Sequence, residues 1–83
     1  MKTFYNRRTW LNPKSSDSTG SVVAYDGKIP YKKKLVVQRF LKVSDCHHEI
    51  TLHQTLDDSK ADFIRKMKLL KRELNLFIKH LES

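Results

Sequence analysis

The sequence predicts an α+β protein in which a small three-stranded antiparallel sheet packs on one long C-terminal helix. Residues 21–54 contain short runs of alternating apolar and polar residues, the pattern of half-exposed strands. Residues 57–82 contain no glycine or proline, and their apolar residues recur every three or four positions, the pattern of an amphipathic helix. A chain of 83 residues is long enough for one domain, so we expect residues 1–83 to form a single domain.

The sheet is predicted to be a β-meander. Residues 21–25 are rich in β-branched side chains, and Asp26-Gly27 is typical of a hairpin turn because glycine tolerates positive φ. The return strand begins near residue 28 and is most regular over residues 35–43, after which residues 44–45 predict a second turn. Residues 46–54 alternate again and form the third predicted strand.

The helix carries one apolar seam along its length. Its members repeat at spacings of four and three: Phe63, Met67, Leu70, Leu74, Phe77 and Leu81. At 1.5 Å per residue such a helix runs roughly 35 Å, whereas a three-stranded sheet is only about 10 Å across. The seam can cover the sheet, which leaves Leu69 and Leu76, on another flank, without a partner within the monomer. Pairing with a second copy would bury them, so we expect a homo-oligomer joined through the C-terminal helix. The alternative is that two exposed leucines are ordinary surface residues.

The charge balance favours polyanionic partners. Lysine and arginine number 17 against 9 acidic residues, which gives a net charge of +8. Such an excess suits a nucleotide or nucleic acid partner, an acidic protein or anionic lipid, or else serves only solubility. The single cysteine, Cys46, excludes a disulfide within the chain and suits a reducing cytoplasm. The apolar runs are too short to cross a membrane, and we expect no signal peptide and no membrane partner.

Residues 1–20 are predicted to form a basic N-terminal arm and loop that holds the candidate site. Arginine forks, hydroxyl groups and a flexible glycine backbone all bind phosphate oxygens. The predicted phosphate-binding residues are Arg7, Arg8, Lys14, Ser18, Thr19 and Gly20. Trp10 and Tyr25 are the candidates for stacking on a base. The alternative is a flexible arm whose Trp10 is tucked into the core.

Two further basic groups are ambiguous. Lys32, Lys33 and Lys34 lie next to Tyr31 and either extend the same groove or guard a sheet edge against aggregation. On the helix, Arg65, Arg72, Lys79 and Lys68 lie opposite the seam, where they either bind phosphates or keep the outer face hydrated.

The sequence offers no assembled catalytic or metal centre. Cys46 and His48 face one side of their predicted strand while His47 and His53 face the other, so these four side chains cannot converge on one ion. Adjacent strand residues also point apart, which argues against a cysteine–histidine nucleophile. We therefore expect no metal, no cofactor and no enzymatic activity.

Two segments carry a resemblance to known proteins. RTWLNP at residues 8–13 and STGSVVAYDG at residues 18–27 resemble the opening of small phage and plasmid proteins, and the similarity extends through residues 43–47 and the closing helix. In size, lysine content and lack of catalytic groups, the chain is also similar to phage-encoded inhibitors of bacterial immunity, some of which sequester cyclic nucleotide signals as oligomers. The resemblance implies ligand sites at subunit interfaces and a location in the bacterial host cytoplasm.

Three functions follow as expectations. The first is a non-enzymatic protein that binds phosphate-bearing ligands and sequesters cyclic nucleotide signals for phage counter-defence. The second is a basic nucleic-acid-binding protein, whose affinity would fall steeply with salt. The third is an inhibitor that docks on an acidic host protein.

Overall fold

A computed structural model describes all 83 residues and confirms the α+β class. The elements are β1 (Lys2–Trp10), β2 (Ser21–Tyr31), β3 (Lys34–Asp45), β4 (His48–His53) and α1 (Lys60–Glu82). The sheet has four strands, so the prediction of three is wrong by one. The chain divides into two compact units, Met1–His53 with the sheet and Gln54–Ser83 with the helix. Their packing as one domain stays a prediction.

The four strands form an antiparallel meander in the order β1-β2-β3-β4. One row across the sheet runs from Asn6 through Tyr25 and Phe40 to His53, and it fixes which residues share a face. Residues 35–43 alternate regularly between the two faces of the sheet, because Phe40 lies in this row while Leu41 lies in the neighbouring one, on the opposite face.

Two contacts between β2 and β3 mark this register. The Arg39 Nε donates to Asp26 Oδ1 at 2.9 Å, and the two residues face each other directly. In the next row the rings of Tyr25 and Phe40 stack with centroids 5.3 Å apart. A slip of one residue would move both pairs apart and exchange the two faces of β3, so these contacts favour a single register.

Residues 2–10 are a strand, which corrects the prediction of an arm over residues 1–20. Thr3, Phe4 and Tyr5 have high β-propensity, and the segment pairs with β2 from Lys2↔Lys28 to Trp10↔Ser21. Every residue of β1 is exposed, and the strand lies at the edge of the sheet. Basic side chains remain in water at such an edge, so high charge does not prevent strand formation there.

Asp26-Gly27 does not form the predicted turn, because both residues lie inside β2. Gly27 has no positive φ. Its role is steric: an added Cβ would lie 2.5 Å from the Lys2 carbonyl oxygen and 2.5 Å from the Tyr25 hydroxyl. The strand β1 bulges between Thr3 and Tyr5, opposite this position. Glycine is therefore required here by close approach of backbone and ring.

The actual turns lie elsewhere. Lys32 and Lys33 join β2 to β3 with φ of 49° and 67°, which is the backbone of a two-residue type I′ hairpin. Between β3 and β4, Cys46 takes φ of 54°, so the second turn begins one residue after the predicted segment 44–45. Neither turn contains the glycine that usually marks such a backbone, which is why the sequence pattern did not locate them.

The helix begins at Lys60, three residues after the predicted start at residue 57. Ser59 is the N-cap: its hydroxyl accepts from the Asp62 N–H at 3.1 Å, and its own N–H donates to the Asp62 carboxylate at 3.0 Å. The hydrogen bond that the Ser59 N–H donates to the Asp62 carboxylate, then the Ser59 side chain and to a smaller extent Arg65, hold the pKa of Asp62 below its ordinary value. Residues 55–58 form a separate turn closed by Asp58 N–H to the Thr55 carbonyl.

Apolar burial is shallow throughout the chain. No apolar side chain is buried, and Ser21, at 5% exposure, is the only buried polar residue. The apolar residues of β2 and β3 are mostly half-buried, and no residue of α1 is buried. The helix α1 does not combine the length and the apolar character that a membrane span requires.

The strained turn gives a first prediction. Lys33→Gly removes the side chain from a left-handed backbone, so we expect the free energy of unfolding to rise by about 1 kcal/mol in urea denaturation. Lys34→Gly, the adjacent position in β3, is the matched control and should destabilise the protein, because glycine weakens a strand. An equal loss of stability in both variants would contradict the turn geometry.

Candidate functional site

The segment between β1 and β2, residues 11–20, folds into a closed loop. Its neck is held by Leu11 N–H donating to the Gly20 carbonyl at 2.8 Å and by Gly20 N–H donating to Asn12 Oδ1 at 2.7 Å. Gly20 is buried, and a Cβ at this position would lie 2.7 Å from the same Asn12 oxygen. A side chain at this position would displace the Asn12 amide from its hydrogen bond with the Gly20 N–H, so glycine favours the closed neck of the loop.

Further hydrogen bonds hold the body of the loop. Ser16 N–H donates to the Pro13 carbonyl at 3.0 Å, which closes a turn that starts at the proline. Ser18 N–H donates to the Ser16 hydroxyl at 3.1 Å. The loop therefore keeps its shape through its own polar groups, as compact surface loops do.

The loop and the end of β1 enclose a pocket of about 430 Å³. Its walls combine an aromatic ring, an ammonium group, an amide and hydroxyl groups, contributed by Trp10, Asn12, Pro13, Lys14, Ser16, Ser18, Thr19 and Gly20. A pocket of this volume is within the range of small-molecule sites. We refer to it below as the loop pocket.

Five of the eight predicted site residues line the loop pocket. They are Trp10, Lys14, Ser18, Thr19 and Gly20. Arg8 is adjacent, because its guanidinium lies 5.5 Å from the centre of the Trp10 ring, within range of a cation–π contact. Trp10 is 62% exposed, so the alternative in which it is tucked into a core is wrong.

Arg7 and Tyr25 lie apart from the loop pocket. Arg7 pairs with Ala24 and points to the sheet face opposite that of Arg8, because side chains alternate along a strand. One face of the Tyr25 ring is stacked on Phe40, and its hydroxyl lies 3.4 Å from that of Thr3.

Three lining residues were missed by sequence reasoning: Asn12, Pro13 and Ser16. In the sequence, Asn12-Pro13 indicates only a break in regular structure, because proline holds the residue before it in an extended conformation. An asparagine in a loop frequently accepts a hydrogen bond from a nearby backbone N–H, so the residue type of Asn12 is typical of such an acceptor. The distance along the chain to its partner Gly20 is not a standard turn spacing, and the pattern alone therefore does not identify the pair.

The helix carries a second concave surface, which we call the helix groove. It measures about 340 Å³ and combines four cations with an amide and a leucine: Lys68, Lys71, Arg72, Asn75, Leu76 and Lys79. The groove is lined by three of the four basic residues that the sequence places opposite the seam, namely Lys68, Arg72 and Lys79. Lys71 adds a fourth cation. Arg65 lies instead beside Asp58 and Asp62 in a different hollow.

The remaining candidates from the sequence are dispersed. Lys32 lies over the Tyr31 ring at 5.4 Å, in the turn between β2 and β3. Cys46 is exposed in the turn that follows β3. No three side chains among the histidines, cysteine and acidic residues gather in an arrangement that could hold a metal ion.

Comparison with known proteins gives no assignment. No family model matches the sequence, and no curated protein or solved structure shows significant similarity to it. The case for a function therefore has to come from the chemistry of the loop pocket and the helix groove.

The neck of the loop gives a second prediction. Asn12→Ala leaves the Gly20 N–H without its acceptor, so we expect a loss of about 1 kcal/mol in the free energy of unfolding and faster amide exchange at Gly20. Asn6→Ala, at an exposed position of β1, is the matched control and should change both quantities little. Unchanged exchange at Gly20 in Asn12→Ala would refute the role of this hydrogen bond.

Proposed function

We propose that this chain binds phosphate-bearing ligands, above all nucleotides, in the loop pocket, and that it does so without catalysis. The observation that carries the proposal is the set of lining residues, in which a tryptophan borders the same cavity as a lysine, two serines and a threonine. A ring suits a base, whereas cations and hydroxyl donors suit phosphate oxygens.

The roles divide by chemistry. Lys14, with Arg8 beside the ring, supplies positive charge for phosphate groups. The hydroxyls of Ser18 and Thr19 donate hydrogen bonds to phosphate oxygens. Trp10 stacks on the base through the ring surface that Arg8 leaves open.

Gly20 contributes through shape. Its N–H is already engaged by the Asn12 side chain, so the expected donation from the Gly20 backbone to phosphate is replaced by a structural role. The absence of a Cβ lets the neck close, which brings Thr19 and Trp10 to the same cavity.

The biological setting we propose comes from the resemblance to phage-encoded inhibitors. In that setting the chain sequesters a cyclic nucleotide signal in the cytoplasm of a bacterial host, releases it unaltered, and acts as a homo-oligomer joined through α1. Support for the oligomer comes from the exposed apolar residues of the helix, including Leu74, Phe77 and Leu81.

The site makes a direct binding prediction. Trp10 is the only tryptophan, so its fluorescence reports on the loop pocket alone. Titration with cyclic di-AMP, cyclic GMP–AMP and ATP should quench it, and Lys14→Ala should weaken binding of the best ligand about tenfold or more, the effect of losing a charged hydrogen-bond donor. Lys33→Ala removes the same charge at a remote turn and should leave binding unchanged.

Two outcomes would refute this proposal. One is the absence of any fluorescence or calorimetric response to the three nucleotides. The other is an equal loss of affinity in Lys14→Ala and Lys33→Ala, which would indicate general charge attraction. Mass spectrometry of the ligand recovered after denaturation should return it intact, whereas a cleaved product would indicate catalysis.

A second candidate function is nucleic-acid binding along α1, and the helix groove is the observation that favours it. Four cations line a surface of the helix with few acidic neighbours.

If this surface binds single-stranded DNA, affinity for a labelled oligonucleotide should fall linearly with salt on a logarithmic plot, and Arg72→Ala should reduce the slope by about 0.7. Lys14→Ala should leave that slope unchanged. The affinity of the loop pocket for a nucleotide should depend less on salt, because only a few phosphate contacts are involved.

A further inference from the structure

The apolar seam of α1 is exposed along its C-terminal half. Leu74, Phe77 and Leu81 are 52%, 60% and 65% exposed. In the first half of the helix, Phe63, Met67 and Leu70 are half-buried, so the seam as a whole retains accessible apolar surface. Continuous exposed apolar surface of this kind is typical of an interaction site.

The spacing of the seam identifies the kind of partner. Apolar residues that repeat at alternating spacings of four and three form the a and d positions of a heptad, which pack against another helix with the same repeat. A second copy of this chain supplies such a helix. In this heptad Met67, Leu74 and Leu81 occupy a positions, whereas Phe63, Leu70 and Phe77 occupy d positions.

We infer that α1 of a second copy covers the seam, instead of the flank of Leu69 and Leu76 from which the sequence predicts pairing, and that it runs antiparallel to the first. The two-fold axis then crosses the seam at the level of Arg72. The layers pair Phe63 with Leu81, Met67 with Phe77, and Leu70 with Leu74 of the other copy. Each pairing occurs twice, so the whole seam is used. The inference does not depend on the ligand of the loop pocket.

Side-chain size favours the antiparallel direction. In a parallel pair each seam residue faces its own copy, which places two phenylalanines in the Phe63 layer and two in the Phe77 layer. The antiparallel pair matches each phenylalanine with a leucine or methionine, so that the layers have similar volume and pack more evenly. Lys60 also occupies an a position, and a parallel pair would place two lysines against each other there.

The flanks of the seam agree with this direction. Ile64 and Ile78 occupy e positions, and they are 42% and 49% exposed. Antiparallel helices bring e positions of the two copies together, so Ile64 meets Ile78 on the same side of the seam. In a parallel pair the e positions face g positions, and Ile78 would lie against the Glu73 carboxylate.

The available area suffices for a specific dimer. Ile64, Leu74, Phe77, Ile78 and Leu81 each expose about half of a large side chain. Complete cover of these side chains buries on the order of 500 Å² per copy, or about 1,000 Å² for the pair, which is about the minimum expected of a biological interface.

Sedimentation equilibrium tests the interface with a matched pair of variants. Leu74 and Leu76 are 52% and 54% exposed, but only Leu74 lies on the seam. We expect the natural chain to be a dimer, Leu74→Glu to raise the dissociation constant at least a hundredfold, and Leu76→Glu to change it less than threefold. A monomeric natural chain, or a larger effect from Leu76→Glu, overturns the inference. Circular dichroism checks that both variants keep the helix.

Disulfide formation tests the direction without altering the seam. In a Cys46→Ser background, Lys66→Cys and His80→Cys chains are mixed and oxidised. Both positions are g positions, which face each other across an antiparallel pair, so a mixed disulfide should form in high yield. In a parallel pair Lys66 instead faces Lys71, and preferential cross-linking of Lys66→Cys with Lys71→Cys overturns the antiparallel arrangement.

Discussion

The sheet depends on the position of β2 between two antiparallel partners. Both edges of β2 are paired for most of its length, and its pairing with β3 includes the Asp26–Arg39 ion pair and, in the neighbouring row, the Tyr25–Phe40 stack. Because no apolar side chain is fully buried, hydrophobic packing alone specifies this arrangement weakly. Directed contacts between opposing side chains, together with the ladder hydrogen bonds, therefore set the register.

Placement of the loop pocket follows from that register. The pairing of Trp10 with Ser21 ends the β1–β2 ladder directly below the neck of the loop, where Leu11 and Gly20 are hydrogen-bonded. The aromatic wall of the pocket is thus fixed by the sheet, while its polar walls are fixed by the loop. A rigid scaffold that presents a polar loop is the usual construction of a binding site.

Sequence patterns located the helix and β3 because both have regular periodicity over many residues. The patterns gave wrong predictions at residues whose type is typical of one structural role but which have another role in the folded chain. Asp26 and Gly27 have the composition of a turn, yet Asp26 pairs with Arg39 and Gly27 makes room for the Tyr25 ring. Likewise Arg7 and Arg8 are equivalent in composition, but strand alternation sends only Arg8 to the pocket side. Such distinctions require the register, which no local pattern contains.

The two hydrogen bonds at the neck of the loop separate its interior from the sheet. Residues 13–19 join the rest of the chain through ends that are already held together by Leu11, Asn12 and Gly20. Substitutions within this interval alter the pocket wall without disturbing strand pairing, because surface loops accept change more readily than the elements they connect. The sequence of this interval, and with it the lining of the pocket, can therefore change while the strand pairing of the sheet stays constant.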